Sequence, residues 1–466
     1  MRRTLIAVTS VAVLAVGYGV ADAYDQVPGV LTIDEQASEE QPETPKPVEV
    51  LPAASKDTPV PTEKGLAKEL AGDATDPALG SRVGVVVRDA LTGDVLYSRG
   101  EDRPITPAST AKLLTAAAVS ETTDLSTTMT TKVVEGSKDG ELVLVAGGDT
   151  MLAPGKGDPT AVEGRAGLSD LAKETAKSLG AKGKQGGLTL RLDATYAAGE
   201  RIPKTWNPAD VAAGYTQAVT MIGMAGDRPL PGEPSPEVPE RKALQLFAKE
   251  LKKEGVKTSV NASSTSWRTP APKDGKELGA VESAPLGDVL ALALDESDNA
   301  LTENVARQAA VADGAGPSTK EVTAWSHKTL KDAGINLKGL NLKDNSGLST
   351  GQVIPARVIS DVLQLGITGS AQPMTTVLAD LPVAGLTGTL HDRFLEADSK
   401  QAAGIARGKT GTLTGTSAIA GTTTTKDGRL VTYVILADRV PPTTGTIGAQ
   451  AVLDRMVADI TACGCR

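Results

Sequence analysis

Strand-like runs stand at both ends of the foldable part of this sequence, and a sheet joining segments so far apart is the strongest constraint on its fold. "VGVVVRDALTGDVLYSRG" (Val83 to Gly100) reads as two strands about a Thr92-Gly93-Asp94 turn. "GTSAIAGTTTTKDGRLVTYVILAD" (Gly415 to Asp438) reads as a second hairpin turning at Lys426-Asp427-Gly428, and "TTKVVEGSKDGELVLVAGGD" (Thr130 to Asp149) as a third. Helical patterning lies between and after them. Leu286, Val289, Leu290 and Ala293 fall on one face, and Ile447 to Ile460 forms an amphipathic closing helix. The stretch from about Thr150 to Gly275 mixes short strands, prolines and glycines without repeats. The expected architecture is one α+β domain interrupted by an insertion.

Composition sets limits on partners. The chain has 466 residues, 40% hydrophobic and only 2% aromatic, so its core is built from Ala, Val, Leu and Ile, and stacking platforms for bases are not expected. A net charge of -9 argues against nucleic acid, which needs a concentrated basic face. Any anionic substrate must therefore be met by a few local cations. "MRRTLIAVTSVAVLAVGYGVADAYD" has the layout of a secretory signal peptide, with cleavage expected after Ala23 or retention as an anchor, that is, a membrane tether. Residues 24–65, rich in Pro and acids, read as a disordered spacer. Both placements put the body of the protein outside the cytoplasm. The two cysteines, Cys463 and Cys465, are separated by one residue, which reads as a frayed tail without a catalytic part.

The chemistry starts at "ITPASTAKLLTAAAV" (Ile105 to Val119), where Ser109 and Lys112 stand three apart at the start of an apolar run. On a helix that spacing puts hydroxyl and amine on one face, within hydrogen-bond reach. The positive helix end would lower the lysine pKa and free a neutral amine to act as a base. A serine near a helix start is more often a cap, so this pair alone decides little. Two further stretches add weight: "DESDNAL" supplies Ser297 and Asn299, and "ARGKTGTLTG" supplies Lys409, Thr410, Gly411 and Thr412.

In the order S-x-x-K, S-D-N, K-T-G these motifs form the signature of active-site-serine penicillin-binding proteins and serine β-lactamases. The sequence resembles the D-alanyl-D-alanine carboxypeptidases of the class C, low-molecular-mass penicillin-binding type, peptidase family S13. Glu303 in "SDNALTENV", the "DNSGLS" segment with Asn345 in place of the usual Gly, and "LPVAGLTGTLHDRF" before K-T-G extend the likeness over about Leu66 to Asp459. The long gap between Ser109 and Ser297 matches the accessory domains that mark class C. No E-x-x-L-N segment of the class A β-lactamases is present.

The resemblance implies a serine β-lactamase/DD-peptidase-like transpeptidase fold, an antiparallel sheet flanked by helices, with inserted accessory domains. It implies a discontinuous penicillin-binding domain at 66–148 and 276–466, and an insertion at 149–275. Its substrates would be peptidoglycan stem peptides, and β-lactams would be covalent inhibitors. By the same resemblance, Ser109 attacks the carbonyl between two D-alanines while Lys112 takes its proton, and Ser297 relays a proton to the leaving nitrogen under the charge of Lys409. Asn299 would bind the substrate amide, and Lys409 and Thr410 the terminal carboxylate. Gly411 would let the substrate approach the strand, and the N–H groups of Ser109 and Thr412 would hold the oxyanion. No cofactor or metal is called for. Glu200 is a candidate reader of an amine on the stem's third residue. A penicilloyl sensor or scaffold and a β-lactamase remain as rivals. A Ser-His-Asp triad is disfavoured, because neither His327 nor His391 accompanies a G-x-S-x-G elbow.

Overall fold

The computed structural model describes residues 57–260, 266–368 and 372–465. The signal-like segment and most of the proline-rich spacer lie outside the described residues.

The first sheet has the order β10-β11-β12-β1-β2 and is antiparallel throughout. Its members are β1 (Arg82–Asp89), β2 (Val95–Arg99), β10 (Arg407–Leu413), β11 (Thr416–Thr424) and β12 (Leu430–Asp438). The two expected hairpins thus meet side by side. The middle strands are buried on both faces, as a continuous apolar run predicts. Side chains still alternate. Val86, Val434 and Leu436 face a core with the helices Lys112–Thr122, Leu286–Asp295, Asn299–Ala312 and Ala356–Thr368. Val85, Val87, Tyr433 and Ile435 face the opposite core, under Glu63–Leu70 and Gly445–Ala462. A short pairing of β3 (Pro104–Ile105) with β9 (Ile354–Pro355) stands beside this sheet.

A second sheet has the order β7-β6-β5-β4-β8: β4 (Thr130–Glu135), β5 (Glu141–Val145), β6 (Leu188–Asp193), β7 (Thr258–Val260) and β8 (Glu277–Glu282). It is mixed, with β5, β6 and β7 parallel, and it packs on helices Leu168–Leu179 and Pro239–Lys253 over a core of its own. Hydrogen bonding puts the Thr130 hairpin and β8 with this sheet, so sheet membership changes near residues 129 and 283 rather than at 148 and 276. Periodicity could mark that hairpin as strands but could not tell which sheet it joins.

The chain's end is not frayed, which corrects the reading of the cysteine tail. Cys463 is buried in the second face's core, Cys463 and Cys465 are joined as a disulfide, and the Thr62 N–H donates to the Cys465 carbonyl at 2.7 Å. Thr62 in turn caps the helix Glu63–Leu70 through its side chain, so order begins before Leu66.

Candidate active site

Ser109 lies in a 3-10 turn, Ala108–Ala111, that runs directly into the helix Lys112–Thr122. Two glycines hold that turn. Gly411 on β10 lies so close that a Cβ there would stand 2.6 Å from the Pro107 carbonyl oxygen, and a Cβ on Gly347 would stand 1.9 Å from the Ala108 oxygen. Ala108 itself adopts φ 46, left-handed backbone that a non-glycine residue rarely takes. The nucleophile's turn is thus pressed between an edge strand and the 344–349 loop. The missing side chain of Gly411 thus admits the protein's own turn at Pro107.

Lys112 is fully buried, and its Nζ has three partners: Ser109 Oγ at 2.9 Å, Asn299 Oδ1 at 2.6 Å and the Ser346 carbonyl at 2.8 Å. A neutral amine has two N–H donors and one lone pair. Two of the three partners can only accept, so in the neutral form they take the N–H groups and the lone pair meets the Ser109 hydroxyl. Burial pushes Lys112 down to about 8, opposed by Asp344, Asp298 and Glu303. Burial, rather than the expected helix field, is the main cause.

The surrounding acids are themselves held in place. Asp344 accepts from the N–H groups of Gly347 and Ser349 at 2.8 and 2.7 Å and from Trp206 Nε1 at 2.8 Å. Asn345 gives its N–H and side-chain amide to Glu303 at 2.6 and 3.2 Å and accepts from Ser326 Oγ. Burial and Asp344 push Glu303 up to about 7, against the Asn345 hydrogen bonds and Arg307.

Ser297 occupies the link between helices Leu286–Asp295 and Asn299–Ala312 at φ 61 and lines the same cleft, about 880 Å³, as Ser109, Thr410 and Thr412. Asp298 caps the second helix by accepting from the Leu301 N–H at 2.9 Å, which turns Asn299 inward to Lys112. Thr410 donates to Thr389 Oγ1 at 2.9 Å, so the stretch before K-T-G supports the strand. Along β10 the Gly408 N–H donates outward to Pro382, and backbone direction alternates, so the N–H groups of Thr410 and Thr412 face the same open edge. Lys409 is fully buried, with its Nζ donating to the Thr410 carbonyl at 3.1 Å. Burial and Lys112 hold it well below the usual lysine range, opposed by Asp295.

Glu200 does not face the cleft. Its carboxylate accepts from the Thr319 N–H at 2.8 Å, and that hydrogen bond and others hold its pKa below the usual range. It braces the start of the helix Thr319–Asp332, which removes the expectation that it reads a substrate amine.

Three contributors were missed by sequence reasoning, all from the region between the Thr130 hairpin and β8. The Tyr215 carbonyl accepts from Asn299 Nδ2 at 3.1 Å, Trp206 binds Asp344, and Arg228 binds Asp298 at 2.9 Å while also pairing with Glu163 and Glu296. Each lies far from the motifs in sequence and carries no local pattern. Arg228→Gln would leave three carboxylates crowded beside Ser297. We expect penicillin acylation to slow by about 10- to 100-fold, measured by stopped labelling; an unaltered rate would show that the clamp is idle.

Comparison with known proteins places the chain. The family model for the D-Ala-D-Ala carboxypeptidase 3 (S13) family matches residues 66–227 and 233–458. The carboxypeptidase DacB of Mycolicibacterium smegmatis is 33% identical over 100% of this chain and 98% of its own length. A D-alanyl-D-alanine carboxypeptidase of Actinomadura sp. is 29% identical over 77% of this chain and 78% of that relative. Penicillin binding protein 4 of Haemophilus influenzae superposes with a TM-score of 0.65 at 17% identity, over 84% of this chain and 98% of that one, which supports the α+β DD-peptidase fold. On the extent of the family match and the full-length relative, the chain belongs to the D-Ala-D-Ala carboxypeptidase 3 (S13) family.

Proposed function

We propose that the protein is a serine-type D-Ala-D-Ala carboxypeptidase that works through an acyl-serine on Ser109, with peptidoglycan stem peptides as substrates and β-lactams as covalent inhibitors. The observation that carries this reading is the buried Lys112 amine, 2.9 Å from the Ser109 hydroxyl and saturated by two acceptors on its other side. Lys112 takes the hydroxyl proton as Oγ bonds to the carbonyl carbon. The oxyanion meets the N–H groups of Ser109 and Thr412, and a donor of this kind is typically worth about 3 kcal/mol of barrier. Ser297 passes a proton to the departing D-alanine nitrogen, and Asn299, Thr410 and Lys409 hold the substrate. Water then releases the acyl group. Such substrates place the enzyme outside the cytoplasm, where the N-terminal signal would deliver it or leave it tethered.

The test pairs D-alanine release from a peptide ending in D-Ala-D-Ala with fluorescent penicillin labelling, in the wild type and Ser109→Ala. Release and labelling, both lost in the variant, are expected. Labelling without release from this peptide would point to a sensor or to an endopeptidase, and rapid loss of the label to a β-lactamase.

The pH dependence follows from Lys112. It must be neutral to accept a proton, so the acylation rate rises with pH through about 8 and then levels. Glu303 raises the Lys112 pKa, so Glu303→Gln moves that limb to lower pH. A limb that stays in place would break the link between Glu303 and the base.

A further inference from the structure

A cavity of about 320 Å³ lies away from the catalytic cleft, between the region of the second sheet and the helix Asn299–Ala312. Its walls carry three guanidiniums, Arg201, Arg268 and Arg307, and one carboxylate, Glu240. In a chain of net charge -9 that is an unusual concentration of positive charge.

The cations are only partly satisfied. Glu240 is buried and bridges the two outer arginines, Arg201 at 3.0 Å and Arg268 at 3.3 Å. Arg201 also donates to the Glu237 carbonyl, while its Nε is buried without a hydrogen-bond partner among the described residues. Arg268 lies over the Trp267 ring at 4.4 Å, which fixes its plane. Arg307 gives Nη2 to the Glu200 carbonyl at 2.7 Å, and burial lowers its pKa against the pull of Glu303 and Glu200. A guanidinium has five N–H donors, so the contacts above leave most of the donors of these three without a hydrogen-bond partner among the described residues. The rest of the wall is apolar, with Ala194, Ala198, Val219 and Pro270 among its members.

We infer that this cavity is a second binding site, for a ligand bearing a carboxylate on a short aliphatic body. The planar fork of an arginine matches a carboxylate in two parallel hydrogen bonds. The apolar wall suits the methylenes behind it, which a bare phosphate does not supply. The site is independent of Ser109 chemistry and takes its ligand whatever the reaction at the cleft.

The experiment titrates glutarate into the full chain by calorimetry, with tryptophan fluorescence as a second readout through Trp267, and inorganic phosphate as the comparison arm. Saturable glutarate binding, tighter than phosphate, is expected. Arg201→Gln with Arg268→Gln should weaken it at least about tenfold, because the carboxylate loses its fork. Glu240→Gln should strengthen it, because it removes the carboxylate that competes for both arginines. Penicillin labelling at the wild-type rate confirms that each variant is folded, and Glu240→Gln alone decides the matter where the arginine pair fails to fold. No saturable binding, an affinity unchanged in the variants, or phosphate binding tighter than glutarate would each overturn the proposal.

Discussion

Lys112→Met is expected to slow acylation of Ser109 by about three orders of magnitude, the range that a positioned proton acceptor supplies. Methionine is close in length and apolar, so the fully buried position keeps its packing. The substitution removes the lone pair that faces the Ser109 hydroxyl at 2.9 Å and leaves Asn299 Oδ1 and the Ser346 carbonyl without their donor. Each orphaned acceptor costs about 1–3 kcal/mol of stability. Thermal melting and labelling rate therefore report different losses. Lys112→Arg separates charge from base: arginine remains protonated, so the variant keeps a cation and is expected to be as slow as the methionine variant. A lysine serving only as a positive charge would leave the arginine variant active.

Gly347→Ala carries the second large effect, and it acts without touching a reacting group. Its φ of 90 is strained for any L side chain, and the added carbon would meet the Ala108 carbonyl oxygen at 1.9 Å and its carbon at 2.6 Å. Both neighbours are backbone, so the collision is relieved only by moving the turn that carries Ser109 or the loop that holds Lys112. We expect about 2–4 kcal/mol of lost stability from overpacking and backbone strain together. A displacement of about 1 Å at the nucleophile is worth a further 10²-fold in rate. Comparing acylation well below the melting temperature with the melting temperature itself separates the two. Native labelling kinetics in a folded Gly347→Ala protein would mean that the turn is not held by this contact.

Much of the site was legible in the sequence because its chemistry depends on short spacings. Ser109 and Lys112 lie within one turn, Asp298 and Asn299 open a helix, and Lys409 to Thr412 alternate along a strand, so each group's local geometry follows from secondary structure alone. The hairpins at Val83 and Gly415 were readable for the same reason. What could not be read depends on contacts between distant segments. Trp206, Tyr215 and Arg228 reach the site from the region expected to be accessory, and the Thr130 hairpin joins that region's sheet through β5 and β8. The depression of the Lys112 pKa was expected from the helix end but comes chiefly from burial, which spacing does not reveal. Gly411 was read as a place of close approach for a substrate, and spacing could not say that the Pro107 backbone also lies against it. Glu200 shows the opposite failure: an acid in the inserted region suggested recognition of a substrate amine, and the fold uses it to brace a helix start.

The measurement that tests the account most directly is peptide mapping by mass spectrometry of the protein after reaction with penicillin, in the wild type and Ser109→Ala. The account predicts a single penicilloyl adduct on the peptide containing Ser109, absent from the variant. An adduct on any other residue, or one that persists in Ser109→Ala, would contradict it.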